Sequence, residues 1–548
     1  MTILSLHQWR RCGFHVTGFY DNYSPSCIIL RTTTSLVSHI CEKYFHMNTR
    51  ACPKGPTVIW FRKSLRIHDN PTLQLATQLA SQLYPLFILD PYYINPEKIG
   101  FQRFRFMLEC MKDLDNSLRK YNSSLLVIYG EPVTVLENCY RTWNFSYLCF
   151  EKDTDIYSRN RDKKVLERMK ELGVQCFLES GHTLYDLDVL VGWLNGKSPP
   201  TQMTSFLKLI EQVGPPPKPI EITCNIPPLT IDMIGSMKVS NVPEIHEIPG
   251  YEFIAVPTTC PFQGGESQAL ERMQQVVKRE QGNWVVTFSK PNTSPTSLNP
   301  PSTTVLSPYI KCGALSVRLF FWELKKVEDC FSVKTKPPVS LIGQLYWREH
   351  FYLLGYTIPH FDRIQDNPLC KSIPWEYRQD WFQAWEEGQT GYPFIDAAMT
   401  QLKQWGWLHH LTRHVVACFL TRGDLWISWE KGKEVFEKYL IDGDWSINAA
   451  NWMWLSCSAF FTRYFRVYSP VAFPKKYDPH GNFVRYFLPV LRNMPSKYIY
   501  EPWKAPLKVQ KDANCILGKD YPFPIVNHEE MKKRNIQKMI QVFQNKSL

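Results

Sequence analysis

The sequence predicts two domains, an N-terminal α/β domain built on a doubly wound parallel sheet and an all-α C-terminal domain. Three observations support this architecture. The chain has 548 residues, which is more than a single hydrophobic core usually serves. Short apolar runs alternate with amphipathic stretches over residues 55–182, an alternation typical of parallel sheets. From about residue 311 onward, the apolar residues instead recur with the period of an α-helix.

Four apolar runs in the first domain have the composition of buried parallel strands, which need hydrophobic side chains on both faces. They are TVIWF (57–61), LYPLFIL (83–89), SLLVIYG (124–130) and SYLCFE (146–151). The amphipathic stretch PTLQLATQLASQL lies between the first two and predicts a covering helix. No G-x-G-x-x-G follows the first run, so the dinucleotide-binding fingerprint is absent and the sheet serves another purpose.

The remaining chain divides by composition. Residues 183–270 are rich in pieces such as SPP, GPPPKP and IPP, which do not sustain helix or sheet, so we predict a long linker. Residues 271–540 form the predicted helical domain, followed by a short tail over 541–548. The helical domain is rich in Trp and His, and we expect it to enclose a large planar ligand.

Bulk composition narrows the class of protein. The net charge of +12 suits a polyanionic partner if the charge lies on one face, and the 18 tryptophans suit stacking on planar ligands or bases. The 16 cysteines include no CxxC pair, which favours a reduced cytosolic or nuclear compartment over secretion. No apolar run approaches the length of a membrane span, so no membrane association is expected.

The N-terminal segment, residues 1–54, stands apart from the predicted fold. Residues 1–46 are basic and rich in Ser and Thr, as an organellar targeting peptide would be. The alternative is an upstream extension of the reading frame, because Met47 opens a plausible start just before the first strand. Either way, this segment is set aside from the domain prediction.

A hydroxyl cluster precedes one predicted helix of the C-terminal domain. Thr303, Thr304 and Ser307 stand where backbone amides and hydroxyls could hold a phosphate. The alternative is a helix cap joined to a solvated linker.

The helix GQLYWREHF (343–351) presents a mixed polar and aromatic face. Gln344, Trp347, Arg348 and Phe351 follow the spacing i, i+3, i+4 and i+7, so they share one side. An amide, an indole and a guanidinium therefore lie together, either for ligand binding or for core packing with one ion pair.

Two histidines in GWLHHLTRHVVACF (406–419) also share a helix face. His410 and His414 are four residues apart, and Arg413 lies beside them. Zinc binding is disfavoured because HEXXH is absent and the adjacent Arg opposes a divalent cation, so no metal is predicted. A coupled pair that keeps one proton available near neutral pH is a functional interpretation, and two hydrogen-bonded core histidines are the structural one.

The segment IDGDWSINAANWMWLS (441–456) predicts a helix that begins near Asp444. Asp442 precedes it, and Asp444, Asn448 and Trp452 lie on one side at intervals of four. An Asp at a helix start is a common cap. A cap does not explain Asn448, because an Asn inside a helix usually needs a specific partner.

Taken together, these segments resemble the photolyase/cryptochrome family. The resemblance covers about residues 57–540 and is carried by WFRKSLRIHDNPTL, TTVLSPY, QLYWRE, GWLHHLTRH, FLTRGDLWISW, DGDWSINAANWMWLS and YFRVYSPVAFPKKYDPHGNFVRYFLP, in that order. It implies an N-terminal α/β antenna domain and a C-terminal helical domain that holds FAD in a folded conformation. It also implies a second, antenna chromophore, whose identity varies within the family.

The resemblance implies roles for the residues above. Those assigned to FAD are Thr303, Thr304, Ser307, Gln344, Arg348, Arg413, Asp442, Asp444 and Asn448, the last opposite the flavin N5. Those assigned to a tryptophan electron-transfer chain are Trp452, Trp429, Trp375 and Trp426. An amide beside N5 is compatible with the anionic reduced flavin, whereas a carboxylate would disfavour it.

Within the family, the chain is most similar to animal-type (6-4) photolyases. His410 and His414 are shared by (6-4) photolyases and animal cryptochromes, whereas photolyases of cyclobutane dimers place Asn at the first position. YFRVYSPVAF, KKYD and YIYEPWKAP resemble the (6-4) enzymes more than the clock cryptochromes. Pro474 departs from the Gly usual at this turn, and because proline cannot adopt positive φ we expect a local difference near the DNA surface.

The implied activity is light-dependent repair of (6-4) pyrimidine-pyrimidone photoproducts in UV-damaged DNA, by an electron from photoexcited FADH⁻ and a proton from the catalytic pair His410 and His414. The implied substrate-binding residues are Gln344, Trp347, Trp454, Arg466 and Tyr468. We expect a monomer. We expect it in the nucleus and also in the cytoplasm, or in an organelle if residues 1–46 are a targeting peptide. The alternative is an animal-type cryptochrome, a blue-light photoreceptor or circadian repressor with clock proteins as partners.

Overall fold

The structure is a computed structural model that describes residues 52–221, 225–252 and 260–544. The chain from Gly55 onward forms one compact unit. The predictions about the leader, residues 1–46, and about the end of the tail, residues 545–548, lie outside the described ranges.

The first domain is a parallel sheet covered by helices. In the described residues the sheet has five strands in the order β3-β2-β1-β4-β5, and every pairing is parallel. The strands are β1 Gly55–Phe61, β2 Ala80–Leu89, β3 Leu126–Tyr129, β4 Tyr147–Glu151 and β5 Gln175–Glu179. The helices are α1 Pro71–Leu79, α2 Phe101–Arg119, α3 Pro132–Trp143 and α4 Ile156–Glu171. The predicted doubly wound parallel sheet is confirmed.

Burial explains why four strands were predicted and one was missed. In β1, Val58 and Trp60 on one face and Ile59 and Phe61 on the other are all buried, which makes the strand a continuous apolar run. Strand β5 lies at the edge of the sheet and is only half-buried. Its sequence QCFLE therefore carries little hydrophobic signal.

The Pro-rich stretch predicted as a linker contains helices. They are α5 Leu187–Trp193, α6 Met203–Val213 and the short α7 Ile231–Ile234. In α6, Met203, Phe206 and Ile210 are buried on one side, which is the usual reason that an amphipathic segment folds as a helix. The prolines instead lie between the helices, where their missing backbone N–H removes no helical hydrogen bond.

The second domain is helical, as predicted. Its helices are α8 Glu266–Lys278, α9 Asn283–Thr287, α10 Ser307–Cys312, α11 Val317–Asp329, α12 Leu341–Thr357, α13 Gln379–Glu387, α14 Pro393–Trp405, α15 His410–Cys418, α16 Trp429–Tyr439, α17 Trp445–Leu455, α18 Ala472–Tyr477, α19 Asn482–Phe487, α20 Leu507–Asp512 and α21 His528–Gln544. In the part of the chain that the structure describes, no helix is long and apolar enough to cross a membrane.

Buried ion pairs and hydrogen bonds join the two domains at the end of β1. The Arg66 guanidinium donates to the backbone carbonyl of Gly313 at 2.8 Å, and Arg318 forms an ion pair with Asp69 at 2.9 Å. Both arginines and Asp69 are buried. The loop after β1 therefore holds the helical domain at the carboxyl edge of the sheet, where ligands of open α/β sheets bind.

Candidate active site

The helical domain encloses a cavity of about 490 Å³ between α10, α12, α15 and α17. This volume lies within the range of about 300–1,000 Å³ that is usual for cofactor sites. The predicted residues that line it are Thr303, Thr304, Ser307, Gln344, Trp347, Arg348, His410, Arg413, His414, Asp442, Asp444, Asn448, Trp452 and Trp454. The predicted residues outside its lining are Trp375, Trp426, Trp429, Arg466 and Tyr468. Four sequence segments thus converge on one cavity.

The hydroxyl loop before α10 forms one wall. Ser307 is the first residue of α10, and its Oγ donates to Oδ2 of Asp442 at 2.7 Å. Thr304 Oγ1 accepts from the backbone N of Leu306 at 3.3 Å. Between them, Val305 has a φ of 50°, a conformation that a β-branched residue adopts only under strain. Such strained backbone often marks a ligand site.

An ion pair forms the next part of the wall. Arg413 Nη2 donates to Asp442 Oδ2 at 2.8 Å, and Arg413 Nε donates to the carbonyl of Leu408 at 2.9 Å. Asp442 Oδ1 and Arg348 Nη1 are buried and have no hydrogen-bond partner among the described residues. Because buried polar atoms are normally paired, this acceptor and this cationic donor are suited to a bound ligand with both N–H groups and phosphates, as FAD has.

Helix α17 presents the predicted row of polar side chains. Asp444 is its N-cap residue, but the carboxylate makes no capping hydrogen bond and instead accepts from the Tyr352 hydroxyl. Asn448 Nδ2 donates to the backbone carbonyl of Lys433 at 3.1 Å. The Lys433 carbonyl is therefore the specific partner that we expected for an Asn inside a helix. It holds Asn448 on the cavity wall.

The two predicted catalytic histidines lie together on α15. The ring centroids of His410 and His414 are 5.8 Å apart, and His414 Nδ1 lies 3.3 Å from the Tyr468 hydroxyl. Burial, followed by the charge of Lys290, lowers the pKa of both imidazoles, that of His414 to about 3. Both rings are therefore neutral near neutral pH, and each neutral imidazole still carries one N–H proton.

The four predicted tryptophans differ in burial and in their distance from the cavity. Trp452 is buried at the cavity wall, with its ring 5.0 Å from that of Phe436. Trp429 and Trp426 are buried outside the lining. Trp375 is half-buried, and its ring lies 5.0 Å from the ring of Trp426. One end of the predicted chain thus contacts the cavity, and the other approaches solvent.

Comparison with known proteins agrees with this geometry. Residues 341–541 match the FAD binding domain of DNA photolyase, and residues 57–221 match the DNA photolyase family. A (6-4) DNA photolyase from Arabidopsis thaliana is 47% identical, with 88% of each chain covered. The chain belongs to the photolyase/cryptochrome family. Cryptochrome-2 of Gallus gallus is 44% identical, with 90% of this chain and 85% of the relative covered. An archaeal photolyase from Sulfolobus tokodaii, solved with two FAD molecules, superposes with a TM-score of 0.70 at 26% identity, covering 89% of this chain and 100% of the other.

Family membership confirms the predicted fold and the FAD-binding assignment of the helical domain. The match to the FAD-binding family begins at α12 and includes α15 and α17. The matched region carries most of the residues that line the cavity. The cofactor of this photolyase-family chain is therefore FAD.

The predicted substrate residues differ in their exposure to solvent. The rings of Trp347 and Trp454 meet edge to face, 5.6 Å apart, and both line the cavity. Tyr468 is half-buried beside His414, whereas Arg466 is exposed. Pro474, expected to alter a turn, lies in the first turn of α18, where a proline fits without losing a hydrogen bond.

One cavity residue and two residues next to the cavity wall were missed by sequence reasoning. Lys290 lines the cavity but stands in WVVTFSKPN, which contains no recognised motif. Tyr352 lies one helical turn beyond Arg348 and donates to Asp444, so its i+4 spacing could have identified it. His182 comes from the α/β domain, and no local pattern connects it to α12.

Proposed function

We propose that this protein repairs (6-4) pyrimidine-pyrimidone photoproducts in UV-damaged DNA with blue light and FAD. The observation that favours this lesion over cyclobutane dimers is the presence of His410 and His414 in the same cavity as the residues suited to FAD. The Arabidopsis relative named a (6-4) DNA photolyase supports the same activity.

The protein's own groups bind and orient the cofactor. Arg348 offers an unpaired buried guanidinium nitrogen to the FAD phosphates, alongside the hydroxyls of Thr303, Thr304 and Ser307. Asp442 offers Oδ1, the carboxylate oxygen that Arg413 does not contact. When bound, FAD supplies light-driven one-electron chemistry.

The histidine pair supplies the proton in this proposal. Burial, and then the charge of Lys290, keeps both rings neutral near neutral pH. Phosphates of FAD and DNA bring negative charge, which raises the pKa of a nearby imidazole. His414, oriented by the Tyr468 hydroxyl at 3.3 Å, then donates its proton to the oxygen or nitrogen group that returns to its original base. It recovers a proton once that group is restored, because repair leaves no net gain of protons or electrons.

The part of the cavity beside Trp347 and Trp454 receives the extruded lesion in this proposal. Flipping a base out of the duplex costs a few kcal/mol, and the cost is lowest when the damage has already unstacked the base. The perpendicular rings of Trp347 and Trp454 offer stacking surfaces, and the exposed Arg466 is free to enter the gap in the duplex. The net charge of +12 favours the polyanionic partner.

The deciding experiment is illumination of the purified protein with a duplex that contains one (6-4) photoproduct. We expect light-dependent restoration of the two pyrimidines, and we expect His414→Ala to lower the rate by about 100-fold or more. His246→Ala, at an exposed site far along the chain from the cavity helices, is the control and should repair normally. Undiminished repair by His414→Ala would refute the proton-donor role, and no repair by the wild-type protein would refute the activity.

A light-sensing cryptochrome is the second candidate. The 44% identity to Cryptochrome-2 of Gallus gallus supports it, because the share of both chains covered is nearly that of the photolyase relative. A cryptochrome would bind FAD and circadian partner proteins but leave the lesion intact.

We propose the repair enzyme as a monomer that acts in the nucleus, where its DNA substrate lies.

We also propose a second chromophore. A cavity of about 330 Å³ lies near the carboxyl ends of β4 and β5, lined by residues that include Lys152, Thr154, Ser180 and Tyr356. Open α/β sheets bind ligands at this edge, and the Sulfolobus tokodaii photolyase was solved with two FAD molecules. An absorption band that FAD does not explain, or more than one FAD bound per chain, would support the second chromophore, and a single FAD per chain with no further band would contradict it.

A further inference from the structure

A buried hydrogen-bonded cluster connects the α/β domain to the wall of the FAD cavity. Its centre is Tyr352 on α12, whose side chain is inaccessible to solvent. The Tyr352 hydroxyl donates to Oδ2 of Asp444 and lies 2.5 Å from His182 Nε2. Asp444 lines the FAD cavity, whereas His182 lines the second cavity. One tyrosine therefore contacts groups from both domains.

The donors and acceptors of this cluster define its protonation. Arg348 Nη2 lies 3.0 Å from His182 Nε2, and because a guanidinium only donates, Nε2 is an acceptor. Burial, and then the charge of Arg348, lowers the pKa of His182 to about 3, so the ring is neutral. Since Arg348 occupies the imidazole lone pair, the Tyr352 hydroxyl is left to donate to Asp444.

The position of Asp444 shows what this donation achieves. Asp444 is the N-cap residue of α17, where an Asp normally bonds to the helix amides. Here the side chain makes no capping bond, and its carboxylate lies against Tyr352. Burial opposes its charge, but the charges of Lys63 and Arg348 hold the pKa of Asp444 below its usual range. The carboxylate is thus diverted from the backbone amides of the helix and kept ionised, while Ser446 Oγ donates to its Oδ1 at 3.4 Å.

We propose that Tyr352 and His182 are positioning residues that hold the ionised Asp444 carboxylate at the FAD cavity wall. Arg348 lies over the Tyr352 ring at 4.5 Å and pairs with His182, which fixes the tyrosine from its other side. The proposal rests on FAD binding alone, so it does not depend on the repair activity. A failure of repair would leave it intact.

The first test measures how tightly the folded apoprotein binds FAD. Tyr352→Phe removes the hydroxyl and keeps the ring, so we expect the dissociation constant to rise about tenfold. Tyr346→Phe, on the same helix but outside the cavity lining, is the matched control and should change it less than about twofold. Circular dichroism checks that each apoprotein is folded. The same affinity for Tyr352→Phe and wild type would overturn the proposal.

A second readout separates positioning from general stability. A fixed negative charge beside the flavin disfavours the added electron, so loosening Asp444 should raise the FAD midpoint potential in Tyr352→Phe and leave it unchanged in Tyr346→Phe. An unchanged potential in both variants would count against a role that acts through the carboxylate.

A double-mutant cycle then tests whether Tyr352 acts through Asp444. In an Asp444→Asn background, Tyr352→Phe should add little further loss of FAD affinity, because the partner is already altered. If Asp444→Asn binds no FAD, the cycle of Tyr352→Phe with His182→Gln replaces it, and a combined loss smaller than the sum supports the proposal. Fully additive losses in the cycle used would overturn it.

Discussion

The close contact between Gly432 and Trp452 leads to a sharp test of the cavity wall. Gly432 lies inside α16, and a Cβ at this position would stand 2.1 Å from Cη2 and 2.5 Å from Cζ3 of Trp452. Carbon atoms normally meet at about 3.5–4.0 Å. In Gly432→Ala, the indole must therefore move by roughly 1.5 Å, the difference between these distances.

The expected loss follows from two opposing effects. Overpacking a core position costs about 1–3 kcal/mol. Replacing a glycine in a helix interior by alanine gains about 0.5–1 kcal/mol. We therefore expect Gly432→Ala to lower the free energy of unfolding by roughly 0.5–2 kcal/mol. Because Trp452 also lines the cavity, the affinity for FAD should fall as well.

Urea unfolding of the apoprotein and a fluorescence titration with FAD measure the two effects. Gly192→Ala is the matched control, because Gly192 lies in α5 and a Cβ there would meet no atom within 4 Å. This control should be neutral or slightly stabilising and should bind FAD normally. Equal stability and FAD affinity in Gly432→Ala and wild type would refute the packing argument.

Two further predictions concern a buried histidine and the hydroxyl loop. Burial lowers the pKa of His350 to about 4, although its Nε2 bonds to a backbone carbonyl. In the unfolded chain the pKa of this histidine is about 6.5, so the unfolded state binds a proton that the native state excludes. The free energy of unfolding should therefore fall as the pH is lowered from about 6.5 to about 4, by at most about 1.4 kcal/mol per pH unit from this residue. In urea unfolding across this range, His350→Gln should show a shallower loss than wild type, whereas the exposed control His246→Gln should not; identical slopes for His350→Gln and wild type would contradict the assignment. Ser307→Ala removes a donor to Asp442, so the FAD dissociation constant should rise about two- to tenfold in a fluorescence titration, and an unchanged constant would show that this bond does not organise the site.

Features within a single helix were predictable because helical spacing is a local property. Gln344 and Arg348 on α12 do share one face, and Asp444, Asn448 and Trp452 do meet the same cavity. Backbone hydrogen bonds between residues four apart set these neighbours, whatever the rest of the chain does.

The fold prediction succeeded where burial was complete and failed where it was partial. The central strand β1 is apolar on both faces and was found, whereas the half-buried edge strand β5 was not. The Pro-rich segment concealed α6, because a few prolines between helices dominate the composition without entering the helix itself.

The sequence by itself determined the two-domain architecture, the family and the helix faces that carry the cofactor site, because these depend on short-range spacing and on motif order. Only the tertiary structure decided which charges meet around that site. Lys290 reaches the histidine pair from a distant loop, and His182 reaches Tyr352 from the other domain. Desolvation and Coulomb interaction depend on distance in space, so the neutral histidines and the diverted Asp444 carboxylate could be recognised only once the chain was folded.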